Sequence, residues 1–246
     1  MRNIKLLLAY DGTNYYGFQR QENAISVQAV LEQALGKICR EPIRLATAGR
    51  TDTGVHARGQ VVSFHTMAPI PQERFPYAIN CCLPADIVVL AAEEMPAEFH
   101  PRRSARAKTY RYTLDTGKFP DVFQQRFAWH PMYSLKRELL VQASSYLCGT
   151  HDFAAFRAAG SAVRTSVRTI TRAEWDFVDD PLWHFYITGN GFLYKMVRLI
   201  VGTLVEVARG KIPPQSIKEL LGCQQSQYRA GPTAPAKGLT LWEVIY

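Results

Sequence analysis

Residues 48–57 read AGRTDTGVHA, and this stretch holds the side chain best suited to chemistry in the chain. Its one carboxylate, Asp52, lies between two glycines, which let another molecule approach the main chain closely. Apolar alternation over residues 43–47 predicts a strand before the stretch, and residues 60–65 predict another after it. We therefore expect Asp52 on a loop between two strands, where reactive side chains are commonly displayed. An ordinary turn explains the same composition, because Asp, Thr and Gly are good turn formers.

Length and composition set the class of protein. The chain has 246 residues and is 47% hydrophobic, which is enough for a core in one large or two moderate domains. No apolar run approaches the ~20 residues that span a bilayer, so we expect a soluble cytoplasmic protein. The cysteines at positions 39, 81, 82, 148 and 223 lack Cys-x-x-Cys spacing, and the six histidines lack metal-ligand spacing. These patterns predict neither a disulfide framework nor a metal site.

Basic residues are clustered as well as numerous. The net charge is +8, which alone points only weakly to nucleic acid. Arginines neutralise phosphates and aromatic rings stack on bases, so interleaving the two suits an unstacked RNA strand. A solvated charged face explains the same residues. Two clusters stand out, Arg102, Arg103, Arg106, Lys108 and Arg111 with Tyr110 and Tyr112, and Arg157, Arg164, Arg168 and Arg172.

Periodicity predicts two α+β halves with antiparallel sheets, which we divide into domains 1–104 and 105–246. In the first half, Ser26 can cap a helix that runs to Leu35 and stops at Gly36. Its other predicted elements are strands at 4–10, 43–47, 61–65 and 87–91 and a helix at 73–81. In the second half we expect strands at 109–114, 167–177, 183–188 and 239–245, and helices at 134–147, 192–209 and 214–221.

The Asp52 stretch resembles the signature of the tRNA pseudouridine synthase A family, and the likeness recurs in order along the chain. Seven matches carry it: GRTDTGVHA with GQ at 49–60, YDGTNYYGFQ at 10–19, KTYRY at 108–112, GTHDF at 149–153, GNGFL at 189–193, MVR at 196–198 and RAGPTAPA at 229–236. One departure is Pro101, where the family pattern leads us to expect a small residue.

The resemblance implies a fold and a reaction. The fold would be two similar domains whose sheets join into one continuous sheet, with helices on one side and the active cleft between the domains. The protein would be a homodimer that forms pseudouridine at positions 38, 39 and 40 of the tRNA anticodon stem-loop, with further contacts to the tRNA body. This isomerisation has no net redox change and imports no group, so it requires no cofactor.

The matched motifs assign roles to individual residues. Asp52 would be the catalytic carboxylate, acting by covalent attack or by abstracting a sugar proton; the sequence leaves both routes open. Arg198 lies on the flank of the apolar stripe of a helix and is our candidate for the charge partner of Asp52. The resemblance implies that Tyr110 stacks on the target base and that Leu239 closes the other side of it. Arg50 could bind a phosphate or brace the loop, and we favour the phosphate.

Two other classes of function remain open at this point. An RNA-binding module without turnover explains the charge and the aromatic residues but not the Asp52 loop. A carboxylate-dependent glycoside hydrolase normally needs two acids across the scissile bond, and no second acid stands in a comparable motif.

Overall fold

The computed structural model of the chain describes residues 1–160, 165–222 and 226–246. It divides into two compact units, Met1–Arg106 with Thr240–Tyr246 (unit 1) and Ala107–Leu239 (unit 2). The end of the chain therefore belongs with the first unit, whereas the sequence analysis placed one boundary after residue 104. Arg164 and Cys223, which it singled out, lie outside the described residues.

Unit 1 is built on a sheet to which the last strand of the chain returns. Its own elements are β1 (Arg2–Tyr10), α1 (Val27–Cys39), β2 (Ala46–Thr47), β3 (His56–Thr66), α2 (Phe75–Asn80) and β4 (Ile87–Met95). β1 pairs antiparallel with both β3 and β4, and β2 pairs antiparallel with β3. The last strand, Leu239–Ile245, runs parallel to β3, with His56 opposite Thr240. This parallel pairing is an exception to the antiparallel sheets that the sequence predicted.

The core of unit 1 follows from strand alternation. Ile4, Leu6 and Leu8 of β1 are fully buried, while the residues between them are partly exposed. Phe64 of β3 packs edge-on against Phe75 of α2, with ring centroids 5.7 Å apart. Burial of this one face fixes the register of the sheet, since a slip by one residue would turn the apolar face to water.

Unit 2 contains an antiparallel sheet, and the longest of its described helices starts at Met196. Its elements are β5 (Ala107–Asp115), α3 (Arg137–Ser145), β6 (Gly149–Asp152), β7 (Val167–Asp176), β8 (Leu182–Gly189), α4 (Met196–Ala208), α5 (Ser216–Gly222) and the start of β9 (Leu239–Ile245). The strands pair in the order β5-β8-β7-β6. Within the described residues no helix has the length and apolarity needed to cross a membrane.

The α+β class is confirmed, but several predicted boundaries were wrong. Helix α1 continues through Gly36 and ends at Arg40 in the left-handed region (φ 58°), because a helix interior tolerates one glycine at a cost of about 1 kcal/mol. Helix α3 starts after Lys136, not at Ser134. Helix α4 starts at Met196, not at Phe192, because Lys195 takes a left-handed conformation (φ 57°). The strand predicted at 43–47 is reduced to β2.

Candidate active site

The Asp52 loop joins β2 to β3 and is held from the strand side by hydrogen bonds to its first residues. The Gly49 carbonyl accepts from Gln60 Nε2 at 2.8 Å and from Thr47 Oγ1 at 3.0 Å. The Ala48 amide donates to the Val61 carbonyl at 2.9 Å. Gln60 is fully buried, so water does not compete for its side-chain amide, and its hydrogen bond fixes the backbone at the start of the loop.

The segment at residues 10–19 holds the other side of the loop. The Tyr10 hydroxyl and Thr51 Oγ1 lie 2.8 Å apart, and the Phe18 amide donates to the Thr51 carbonyl at 3.1 Å. Gly17 (φ 85°) approaches so closely that a Cβ there would lie 2.7 Å from the Thr51 carbonyl oxygen. Burial raises the pKa of Tyr10 to about 12, so its hydroxyl keeps its proton beside Thr51.

Asp52 itself lies at the turn of this loop. Its carbonyl accepts from the Val55 amide at 3.1 Å, and the Gly54 amide donates to the Tyr15 carbonyl at 3.3 Å. The Asp52 side chain is partly exposed, and the neighbouring Arg50 is exposed. The sequence prediction of a loop between two strands is confirmed, and the loop presents a carboxylate and a guanidinium from a fixed backbone.

Arg198 lies on the first turns of α4, where it is partly exposed. Its Nε donates to the Ala234 carbonyl at 2.7 Å, and the Ala234 amide donates to the Arg198 carbonyl at 3.1 Å. The Gly231 amide donates to Thr203 Oγ1 at 2.8 Å on the same helix. The RAGPTAPA segment at 229–236 is therefore fastened along α4, and it fixes the plane of the Arg198 guanidinium.

The same segment leads to Leu239 by way of Tyr112. The Tyr112 hydroxyl donates to the Pro235 carbonyl at 2.8 Å, and its ring leaves no room for a Cβ at Gly238. Tyr112 is fully buried and Leu239 is 6% exposed. Burial raises the pKa of Tyr112, and the nearby positive charge of Arg198 opposes that rise. The hydrogen bond from Tyr112 thus holds the segment that lies between Ala234, the partner of Arg198, and Leu239, all within unit 2.

Tyr110 lies in the same strand as Tyr112, two residues before it. It is 9% exposed, and its ring meets Phe192 edge-on, with centroids 5.0 Å apart. Tyr110 therefore contacts the GNGFL motif at 189–193. Tyr112, in contrast, is a core residue.

The candidate residues thus fall into two sets. Asp52 and Arg50 share one loop of unit 1, whereas Arg198, Tyr110 and Leu239 lie in unit 2. The pairing of Asp52 with Arg198 stays a prediction. Among the described residues, no cluster of three or more His, Cys, Asp or Glu side chains could hold a metal ion.

Sequence reasoning overlooked the residues that brace the site. Gln60 and Tyr10 were considered only as members of a strand and of a motif, and Thr51 only as a member of a motif. A signal for Gln60 existed, since a glutamine that opens the apolar run QVVSF must find a partner when the strand is buried. No comparable pattern in the sequence indicates that Ala234 would orient Arg198.

Comparison with known proteins gives a consistent result. A family model described as tRNA pseudouridine synthase matches residues 7–102 and 143–246. These ranges include every candidate site residue except Tyr110. A protein of Acetivibrio thermocellus is 47% identical over 246 residues, covering all of both chains, and one of Moorella thermoacetica is 47% identical over 245 residues, covering 99% of both. A third, of Brevibacillus brevis, is 44% identical over the full length of both chains. Each of the three is named tRNA pseudouridine synthase A.

Proposed function

The chain belongs to the tRNA pseudouridine synthase family, and from this premise we propose that it modifies uridines 38, 39 and 40 of the tRNA anticodon stem-loop. It is an isomerase that forms pseudouridine in tRNA. The observation that carries the proposal for the site is the Asp52 loop, fastened on one side by Gln60 and on the other by Tyr10 and Phe18.

The reaction needs a carboxylate and little else from the protein. Uracil leaves C1′ through N1, turns, and rejoins the same carbon through C5, so no atom or electron is imported. We assign the carboxylate to Asp52. It either attacks the sugar covalently or removes a sugar proton once the glycosidic bond has broken. Both routes require an ionised acid in a fixed position, which a braced loop supplies.

Arg198 is the proposed charge partner of Asp52. A guanidinium close to a carboxylate stabilises the ionised form of the acid. When the plane of the guanidinium is fixed, its N–H groups donate hydrogen bonds in a fixed direction. The bond from Arg198 Nε to the Ala234 carbonyl supports this assignment, because it orients the planar group at its base.

The remaining candidates act on the nucleotide. The target uridine must leave its helical stack, at a cost of a few kcal/mol that contacts to phosphates offset. We assign Tyr110 and Leu239 to the two sides of the extruded base and Arg50 to a phosphate beside Asp52. The exposure of Arg50 supports its role.

We also propose that the protein acts as a homodimer in the cytoplasm. The family resemblance supports the homodimer. The free cysteines at positions 39, 81, 82 and 148 fit a reducing compartment, as does a tRNA substrate.

The decisive experiment follows tritium release from bulk tRNA that carries C5-tritiated uridine. We expect Asp52→Asn to reduce release at least ~1000-fold, since it removes the reacting group, while tRNA affinity stays near that of the wild type. The matched control is Asp179→Asn, which removes an exposed acid from unit 2 and should leave release unchanged. Persistent release in Asp52→Asn would remove Asp52 from the mechanism. Binding without release in the wild-type protein would favour the RNA-binding module instead.

A further inference from the structure

Arg58 on β3 and Trp242 on β9 form a pair of side chains that the proposed site does not use. The Arg58 guanidinium carbon lies over the Trp242 ring, 4.3 Å from the ring centroid. Arg58 is exposed, Trp242 is half-buried, and both belong to unit 1. Arg58 lies outside the two basic clusters of the sequence, so the charge pattern alone does not single it out.

The sheet holds the two side chains together. β3 and β9 run parallel with Ala57 opposite Leu241, so the next residue of each strand is a member of the pair. The two backbones are in close contact here, since a Cβ at Gly59 would lie 2.5 Å from the Trp242 carbonyl oxygen. The pair is therefore placed by strands and not by a loop, which lowers the entropy lost when a ligand binds it.

The pair lies on the face of the sheet opposite α2. Helix α2 packs against Phe64 of β3. Leu7 and Val61 oppose each other in neighbouring strands, and strand alternation turns them to the other face, where they line a cavity with Val244. Trp242 precedes Val244 by two residues and therefore shares its face. Arg58, which contacts the Trp242 ring, lies there too and is open to a large ligand.

The chemistry of the pair suits a phosphate. The ring restricts the guanidinium by a cation–π contact, and the N–H groups on the outer side of the guanidinium can still donate two parallel hydrogen bonds to an anion. Lys5, on the same face, is paired with Glu93, whereas Arg58 has no carboxylate within ion-pair distance in the described part of the chain. Its positive charge is therefore available to an external anion.

The position of Arg58 relates it to the proposed site. It is the third residue of β3, about 7 Å along the strand from His56, where the Asp52 loop ends. Trp242 follows Leu239 by three residues. We propose that Arg58, oriented by Trp242, binds a backbone phosphate of the tRNA strand that carries the target uridine. The proposal rests on the proposed function and adds a second phosphate contact to that of Arg50.

The first test measures tRNA affinity over a salt series. We expect Arg58→Gln to weaken binding about 10-fold at 0.1 M salt and to reduce the slope of log Kd against log salt by about 1. Trp242→Leu keeps the charge and should weaken binding about 2–5-fold, and Trp242→Phe should restore most of that loss, because it returns a ring face to the guanidinium. The matched control Arg44→Gln removes an exposed charge elsewhere in unit 1 and should leave the slope close to that of the wild type.

The second test places one neutral methylphosphonate linkage at a time at the phosphates flanking uridines 38 to 40. We expect the wild type to lose affinity at one linkage and Arg58→Gln to lose none there, because the removed charges are partners. Circular dichroism on each variant verifies that it is folded.

The outcomes separate the contact from the reaction. Equal losses at every linkage in the wild type and Arg58→Gln, or equal salt slopes in Arg58→Gln and Arg44→Gln, would overturn the phosphate contact. Wild-type affinity in Trp242→Leu would overturn the orienting role of the ring. A wild type that releases no tritium from C5-tritiated tRNA would overturn the proposed function, whatever the binding results.

Tritium release by the wild type without coupling at any linkage would leave the reaction standing and remove Arg58 from the tRNA contact.

Discussion

At Arg198 the side chain and the backbone bind the same residue. The guanidinium Nε donates to the Ala234 carbonyl, and the Ala234 amide donates to the Arg198 carbonyl. These two hydrogen bonds connect α4 to residues 229–236. Lys195 lies three residues earlier, immediately before the start of α4. Its backbone takes a left-handed conformation, and its ammonium lies 5.1 Å from the Tyr194 ring centroid. Two basic residues three positions apart therefore differ in backbone conformation and in their contacts.

This geometry predicts that charge alone does not replace Arg198. In Arg198→Lys the ammonium keeps the charge but lacks the planar group that Ala234 orients. We expect kcat to fall about 100-fold with tRNA affinity little changed, since a misplaced group costs rate more than binding. Single-turnover tritium release measures the effect, and Arg157→Lys, an exposed position in the same unit, is the control. Equal loss in both variants would contradict an orienting role.

His184 gives a prediction for stability against pH. Burial lowers the pKa of His184 below its usual 6.5, and the nearby Arg111 charge lowers it further, while Asp179 and Asp176 act in the opposite direction. The unfolded chain therefore takes up a proton at higher pH than the folded protein does. Stability should be fully present above pH 6.5 and should fall as the pH drops from there through the lower folded pKa.

Urea denaturation at a series of pH values measures this dependence. His184→Gln should flatten the curve between neutral pH and the folded pKa, whereas His65→Gln, at an exposed site, should leave its slope as in the wild type. An unchanged slope in His184→Gln would assign the dependence to other groups.

At the scale of elements, two helical glycines have opposite surroundings. A Cβ at Gly202 in α4 would overlap the Pro232 carbonyl oxygen, whereas a Cβ at Gly36 in α1 would meet only the Glu41 carbonyl oxygen at 3.5 Å. Gly202 thus permits the close approach of residues 229–236 to α4. Gly36 permits no such close approach, and the conformational freedom of its backbone in the unfolded chain disfavours the helix.

The two substitutions to alanine should therefore change stability in opposite directions. We expect Gly202→Ala to lower the free energy of unfolding by about 1–3 kcal/mol, because the backbones must separate. Gly36→Ala should raise it by up to about 1 kcal/mol through helix propensity. Urea midpoints with unchanged m-values measure both. A neutral Gly202→Ala would show that the segment moves aside at little cost, and tritium release would then report whether Arg198 keeps its position.

For the whole molecule, the net charge of +8 and its polyanionic substrate predict salt-dependent binding. Arg102 and Arg103 are exposed in unit 1. If both contact phosphates, the double variant Arg102→Gln/Arg103→Gln should weaken tRNA binding and reduce the slope of log Kd against log salt by up to about 2. Filter binding over a salt series gives the slope.

The control Lys37→Gln/Arg44→Gln removes the same charge from exposed positions elsewhere in unit 1. It should weaken binding less and leave the slope close to that of the wild type. The same slope in both double variants would mean that net charge, and not a contact surface, governs the affinity.

Local patterns were enough to predict the α+β class and the Asp52 loop, because strand alternation and glycine punctuation depend on neighbours in sequence. They failed at the end of α1 and at the start of α4. Each of these boundaries depends on one residue in a left-handed conformation, Arg40 or Lys195, and several residue types tolerate that conformation. The bracing of the site required the folded chain. Arg198 and Ala234 are 36 residues apart, and Tyr112 and Pro235 are 123 apart. Since such partners meet only after both segments pack, no periodicity in the sequence encodes their contact.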